Sequence, residues 1–384
     1  MGQQQMSVSV TQSIGGGGPG GASMIPKRSI EKYSKLLGLT AEQKEQALVI
    51  YSGYSAAMDS RRKAFTEAID EVRRTSEDAG DHTVFLEKMP KIEQEHRETT
   101  KKLESDFFSD FKSILAGKQE ESWGRVERAR RREVGLAGGS LSGEAMDVTE
   151  LAEGLKLEGD AARSLTQILD QYEMEMDRML VAKAAKGGDS PAWSPGKPID
   201  IEQLQEAMKK AREDGMKVRD VNREAARKIQ DLLGDEQRAT FANEVRKRTF
   251  PRVYRTPRVS KDLDAALKLS DLDASQREQI EQVKSTYGRD LEPVNASWAK
   301  AVEEAEASGQ SGSLGGGGSR MMMSMGDDPE ALKEAKKARR ELDEATSKKL
   351  RTILNDSQKE RLPKPDADED GPGGGRVMMI RRGE

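Results

Sequence analysis

Apolar residues along this chain recur in alternating steps of three and four, which marks one apolar stripe on an α-helix. One run is Leu48, Tyr51, Ser55, Met58, Arg62, Phe65, Ile69 and Val72, with Ser55 and Arg62 as polar interruptions. A second is Ile201, Leu204, Met208, Ala211, Gly215, Val218, Asn222, Ala225, Ile229 and Leu232. Its small residues, Ala211, Gly215 and Ala225, let a partner helix come close. A third is Ile280, Val283, Tyr287, Leu291, Val294, Trp298 and Ala301, where Pro293 is expected to bend or interrupt the helix. Breaks rich in glycine, proline and polar residues near 75–81, 187–198 and 308–329 predict hairpin tips, the last of them disordered.

The stripes sit inside an internal repeat. A lead-in pattern recurs as Tyr33–Leu37–Leu39, Leu151–Leu155–Leu157 and Leu263–Leu267–Leu269. A closing pattern recurs as Ile114-Leu115, Leu232-Leu233 and Ile353-Leu354, each followed four residues after its second member by Gln119, Gln237 or Gln358. From the last lead-in leucine to the closing glutamine is 80 residues in the first two copies and 89 in the third. The expected fold is therefore all-α: three tandem long helical hairpins of roughly 115 residues each, every one with a short closing helix. The boundaries read as a flexible leader over 1–29, units over 30–135, 148–257 and 258–365, and a disordered tail over 366–384.

Five of the six helix starts read Leu-x-x-x-Gln: Leu39/Gln43, Leu115/Gln119, Leu233/Gln237, Leu272/Gln276 and Leu354/Gln358. The residue after each leucine is Thr40, Ala116, Gly234, Asp273 or Asn355, and all but Ala116 are favoured N-cap types. Glutamine then falls at the third helical position, where its amide reaches back to the cap residue's N–H as a capping box. One copy alone is a helix start and nothing more. The sixth start, Leu157-Glu158-Gly159-Asp160-Ala161, has alanine in place of glutamine.

Composition narrows the function. The chain has 384 residues, no cysteine, 34% charged and 4% aromatic residues, and a formal charge of −4. That mix coats long amphipathic helices but does not fill a thick core. Without cysteine there is no disulfide framework and no thiolate metal site. The balanced charge gives no field to draw in nucleic acid. No run is long and apolar enough for a membrane span. No P-loop, dinucleotide fingerprint or catalytic triad order is present, so no enzyme, cofactor or catalytic residue is expected.

Leu37-Gly38-Leu39-Thr40-Ala41-Glu42-Gln43 resembles the first LTxxQ motif of the Spy/CpxP family of periplasmic proteins. Leu232 to Gln237, followed by Phe241 to Arg248, resembles the family's second motif and closing helix. The resemblance covers about residues 30–363 as three successive units. It implies an ATP-independent chaperone-like or stress-sensing protein outside the cytoplasm. It also implies bent hairpins forming a cradle, often as a homodimer, that holds unfolded or partner polypeptides.

On that reading the client surface is the basic helix after each closing motif. Trp123, Arg128 and Arg131 carry it in unit 1; Phe241, Arg246, Lys247 and Arg248 carry it in unit 2. Arginine stems cover apolar area while their heads attract carboxylates. The same residues also fit a solvated face with ordinary ion pairs. A structural or scaffold protein of the cell envelope is the alternative. Met321, Met322, Met323 and Met325, with Met378 and Met379, are soft thioether donors of the kind that take Cu(I), but they read as a low-complexity loop, and no metal site is expected. His82 and His96 lie fourteen residues apart and read as structural.

Overall fold

The computed structural model describes residues 24–80, 83–186, 201–309 and 328–363. All regular elements among the described residues are helices. Tips 2 and 3, His82, Trp193 and the methionines of 321–325 and 378–379 lie outside them.

Three long helix pairs dominate. Helix α1 (Lys27–Leu37) leads into α2 (Ala41–Ala79), which turns through Gly80 into α3 (Thr83–Ser113). Gly80 caps α2 at φ +62°, a left-handed geometry that L side chains rarely adopt, and α2 continues through 75–79, where the sequence reads a break. After α3 come a single turn, α4 (Lys118–Glu121), and the closing helix α5 (Trp123–Ala137). The second pair is α7 (Gly159–Lys186) and α8 (Ile201–Leu232), with lead-in α6 (Val148–Ala152) and closing helix α9 (Asp235–Thr249). The third is α11 (Ala274–Ser308) and α12 (Glu330–Ile353), with lead-in α10 (Arg258–Leu267) and a closing stub, α13 (Asp356–Glu360). Pro293 does not interrupt α11, which runs through it as one helix.

Each pair buries its own seam. In hairpin 1, Ala47, Tyr54 and Met58 of α2 meet Phe107 and Phe111 of α3 under Tyr33 and Leu37 of α1 and Trp123 of α5. Over the first turns of α2 the buried face departs from the expected stripe by one residue, with Ala47 and Tyr54 in place of Leu48 and Ser55, whereas Met58 and Val72 are buried as expected. Leu48 is left 43% exposed while Ala47 is fully buried, and Arg62 points to solvent. The aromatic cluster on α3 selects Tyr54 over Ser55, because the Tyr54 ring packs tilted against Phe107 with centroids 5.0 Å apart. Elsewhere the stripes hold, except that Ala211 is exposed: Gly215, Val218, Asn222, Ala225 and Ile229 are buried in α8, and Ile280, Tyr287 and Ala301 in α11. The expected leader also ends early, since Ile25 and Ser29 are already core residues.

The joints between the units are not spacers. Residues 136–147, outside both expected units, contain Leu141, Ser142, Glu144, Met146 and Asp147, all buried. Glu144 accepts the Ser140 and Leu141 N–H groups at 2.7 and 3.0 Å and pairs with Lys183 of α7. Asn222 of α8 donates to the carbonyls of Gly143 and Glu144 at 2.8 and 3.2 Å. Glu306 at the end of α11 accepts Ser142 N–H and Oγ–H at 2.8 and 2.7 Å. This segment therefore ties α7 through the Glu144 side chain, α8 through its carbonyls, and α11 through the Ser142 N–H and hydroxyl. The second joint is held likewise: buried Arg339 of α12 donates to Val253 O at 3.3 Å and to Asn295 Oδ1 at 2.5 Å.

Gly215 is small because of this joint rather than a partner helix. A Cβ there would lie 2.9 Å from Glu144 Oε2. Alanine usually gains about 1 kcal/mol over glycine inside a helix. Gly215→Ala should nevertheless destabilise the protein by about 1–3 kcal/mol, because three bonded donors fix the carboxylate it would strike. Urea unfolding measures the sign, and a stabilised variant would show that Glu144 moves aside freely.

Candidate functional site

The Leu-x-x-x-Gln motifs come together in pairs. Thr40 caps α2 through its Oγ1, which accepts Gln43 N–H at 3.2 Å, while Gln43 Oε1 accepts Thr40 N–H at 3.0 Å. Gln43 Nε2 then crosses the hairpin. It donates to Gln119 Oε1 and to Ile114 O, both at 2.8 Å. Gln119 answers in kind: Nε2 donates to Gln43 Oε1 at 2.9 Å and to Gly38 O at 3.2 Å, and Oε1 accepts Ala116 N–H at 3.1 Å. Each amide thus uses both N–H groups and both lone pairs. Each also reaches the carbonyl five residues before its partner, which makes the clasp symmetric.

Hairpin 3 repeats this network position by position. Asp273 and Asn355 cap their helices, and Gln276 and Gln358 exchange amide bonds at 3.1 and 3.2 Å. Gln276 donates to Ile353 O at 2.9 Å and Gln358 to Asp271 O at 3.1 Å. Leu39, Leu115 and Leu354 are buried beside the amides, and Leu272 is half-buried.

Hairpin 2 has no clasp. Gln237 is exposed, and its expected capping box does not form, because Gly234 offers no side-chain oxygen. Arg238 takes over part of the task, donating to Gln230 O at 3.1 Å and Leu233 O at 2.8 Å at the end of α8. Leu233 remains buried.

A buried tyrosine recurs eleven residues after the first glutamine position of every unit (Gln43, Ala161 and Gln276): Tyr54, Tyr172 and Tyr287. Burial pushes all three hydroxyls above their ordinary range. Tyr54 accepts Ile25 N–H at 3.2 Å, and Tyr172 accepts Val148 N–H at 3.3 Å, so each hydroxyl anchors a lead-in segment. Across the seam, Tyr172 bonds Asn222 at 2.9 Å and Tyr287 bonds Asp343 at 2.5 Å. Glu104 occupies the matching place in hairpin 1, fifteen residues before the closing glutamine, where it raises Tyr54 further and binds Arg130 at 2.7 Å. These positions carry no glutamine, so a search for the motif passes over them. The fixed interval of eleven was their only signal.

The basic closing helices face the next unit. Helix α5 runs parallel to α7, and its cations meet carboxylates in ascending order: Arg125 with Asp170, Arg128 with Glu173, Arg131 with Asp177. Arg131 is bidentate, at 2.6 and 3.1 Å. Arg132 is fully buried between Asp147 at 3.5 Å and Glu173 at 3.3 Å, and Lys32 of α1 adds a second cation to Asp147 at 3.3 Å. Trp123 is buried among Phe108 and Phe111. In unit 2, Phe241 is buried in the core. Arg246 pairs with Glu292 of α11, Arg248 with Glu150 of α6 at 3.4 Å, and Lys247 with Glu244 of its own helix at 2.7 Å. Among the described residues no group of three metal-ligating side chains converges. His96 stacks on Phe65 at 4.0 Å within hairpin 1.

No family model matches this chain, and neither a curated protein nor a solved structure matches it.

The clasp and the joint each yield a test. Gln43→Ala should destabilise by about 1–3 kcal/mol, because it removes the bonds to Thr40, Ile114 and Gln119 together and leaves half-buried partners unpaired. Gln237→Ala, at the matching place in hairpin 2, should change stability by no more than about 0.5 kcal/mol. Thermal unfolding separates the two, and equal effects would sink the clasp. For Asp147, burial alone would raise the carboxyl, but Arg132, Lys32 and the Thr149 bonds outweigh it and hold it below the carboxylate range. Its contribution is then complete above its unfolded pKa of about 3.9 and is lost as pH falls through the lower folded value. Asp147→Asn should lower stability at pH 7 and remove that acid-side loss. Urea unfolding of both proteins between neutral pH and pH 2.5 reads it out.

Proposed function

We propose that this chain is a polypeptide-binding protein of the chaperone-like kind that needs no nucleotide and works outside the cytoplasm. The habitat comes from the Spy/CpxP resemblance. No described helix is long and apolar enough to cross a membrane.

One observation carries the reading. Large apolar side chains stay exposed on helices otherwise dense in charge: Leu48 at 43%, Val49 at 73%, Val134 at 42%, Met174 at 59% and Val181 at 49%. Val134 and Val181 are the chain neighbours of Gly135 and Leu180, which meet at the end of the α5–α7 ladder. Met174 lies two turns before Val181 on α7. Apolar side chains framed by ion pairs give contacts that are individually weak, which suits capture and release of unfolded segments. The binding surface in this proposal is the exposed apolar mosaic. The cations of α5 serve the joint between units.

A second reading, an envelope scaffold, draws on the two buried joints, which favour a stiff array over beads on a string. Light scattering that finds filaments or one large defined oligomer supports it.

The test of the leading reading is suppression of aggregation of a reduced or heated protein without ATP. The wild type should suppress it at stoichiometric excess. Val134→Ser, Met174→Ser and Val181→Ser combined should lose most of that effect while circular dichroism stays unchanged. Lys247→Glu is the cleaner charge variant, because its pair to Glu244 lies within α9, whereas changing Arg246 or Arg248 breaks pairs to Glu292 of α11 and Glu150 of α6. Suppression that survives the triple serine variant overturns the assignment.

A further inference from the structure

Hairpins 1 and 3 share their clasp, so their seams can be compared residue by residue from the two glutamines. Eleven residues after the first glutamine stand Tyr54 and Tyr287, both buried. Twelve residues before the second stand Phe107 and Thr346, both buried. In hairpin 1 the Phe107 ring packs on Tyr54 at 5.0 Å and is 2% exposed. In hairpin 3 the tyrosine is kept and the phenylalanine is replaced by threonine. A cavity of about 250 Å³ opens there, lined on α12 by Leu342, Ala345, Thr346 and Lys349 and on α11 by Val283 and Tyr287 among others.

We infer that this cavity is a pocket for one aromatic side chain of a bound polypeptide. Three observations converge. The chain itself supplies the occupant at the matching place in hairpin 1, a phenyl ring against a tyrosine. The space is sufficient, since an apolar cavity of about 150 Å³ already accepts benzene. The floor is Tyr287 with Val283 and Leu342, whereas the remaining lining includes Gln282, Asp290 and Lys349. An amide, a carboxylate and an ammonium beside an apolar floor suit a ring flanked by peptide groups better than a free hydrocarbon. The offset or tilted ring geometry seen for Tyr54 and Phe107 is the one aromatic pairs prefer. Hairpin 2 lacks the clasp and carries Ala225 at this place, beside Tyr172, which is bonded to Asn222.

The proposal rests on the polypeptide-binding reading for the source of the ring, and the experiment separates the two. N-acetyl-phenylalaninamide is titrated into the full chain while the methyl signals of Val283, Leu342, Ala345 and Thr346 are followed by NMR, with N-acetyl-glycinamide as control. Saturable shifts at these methyls, with the glycine compound inert, are expected. Thr346→Phe should weaken binding at least tenfold and raise the melting temperature, because it restores the ring of hairpin 1. Thr346→Val keeps the volume and should keep the binding. Ala345→Leu narrows the mouth from an exposed position and should weaken binding even where Thr346→Phe fails to fold. Absence of saturable shifts, or shifts indifferent to both Thr346→Phe and Ala345→Leu, overturns the pocket. Shifts that behave as expected, in a protein that suppresses no aggregation, leave the pocket standing and remove the chaperone-like reading.

Discussion

Two long helices, here of 24 to 39 residues, that share a narrow apolar seam can slide and splay unless something fixes their register. With 4% aromatic residues and 34% charged ones, this chain has little bulk to lock such a seam from within. The glutamine pair supplies the lock at the base of hairpins 1 and 3. A carboxylate at either place would bring acceptors to face the carbonyls of Ile114 and Gly38, and asparagine is one methylene shorter. Only a long primary amide can cap its own helix and bind its counterpart across the hairpin. Because each amide reaches the carbonyl five residues before the other, a shift of either helix breaks four bonds together.

The same logic explains why hairpin 2 does without a clasp. It lies between two neighbours, and its lock comes from the side. The 136–147 segment lays Glu144 beside Gly215 and hands two carbonyls to Asn222, which in turn holds Tyr172. Tyr172 takes the N–H of Val148 and so fixes the hairpin's own lead-in helix, α6. The outer hairpins, each with only one neighbouring unit, keep their glutamines. Burial of Arg132 between Asp147 and Glu173 adds selectivity to this joint, because removing either carboxylate would strand a charge that no water reaches.

Much of this was legible in the sequence where periodicity is long and regular. The α8 and α11 stripes predict the buried faces, and the motif spacing points to the residues that form the clasps. Three features were not legible, each for a physical reason. At the start of α2 the chain buries Ala47 and Tyr54 instead of Leu48 and Ser55, although leucine is the more hydrophobic, because the Tyr54 ring packs on Phe107. The Gly138-Gly139-Ser140 joint reads as a linker, since glycine marks both flexible chain and chain that must pass close to other backbone. Gln237 has the motif without the clasp, because its partner position is Ala161 and its cap position is Gly234. A motif counts only when both halves are present, and they are 76 residues apart for Gln43 and Gln119.

The basic helices bear most directly on function. Runs such as Arg128 to Arg132 suggest a surface waiting for an anion, and their spacing alone cannot say where that anion is. Here it is supplied in the same chain: α7 presents Asp170, Glu173 and Asp177 in step with α5. A cation already paired at 2.6 Å and partly desolvated gains little by exchanging one carboxylate for another from solution. Client capture by these arginines would therefore require the units to part, whereas the exposed apolar side chains and the hairpin 3 cavity need no such opening. Binding energy in this architecture is available where a helix face has no neighbour, so specificity follows from what each hairpin leaves unfilled.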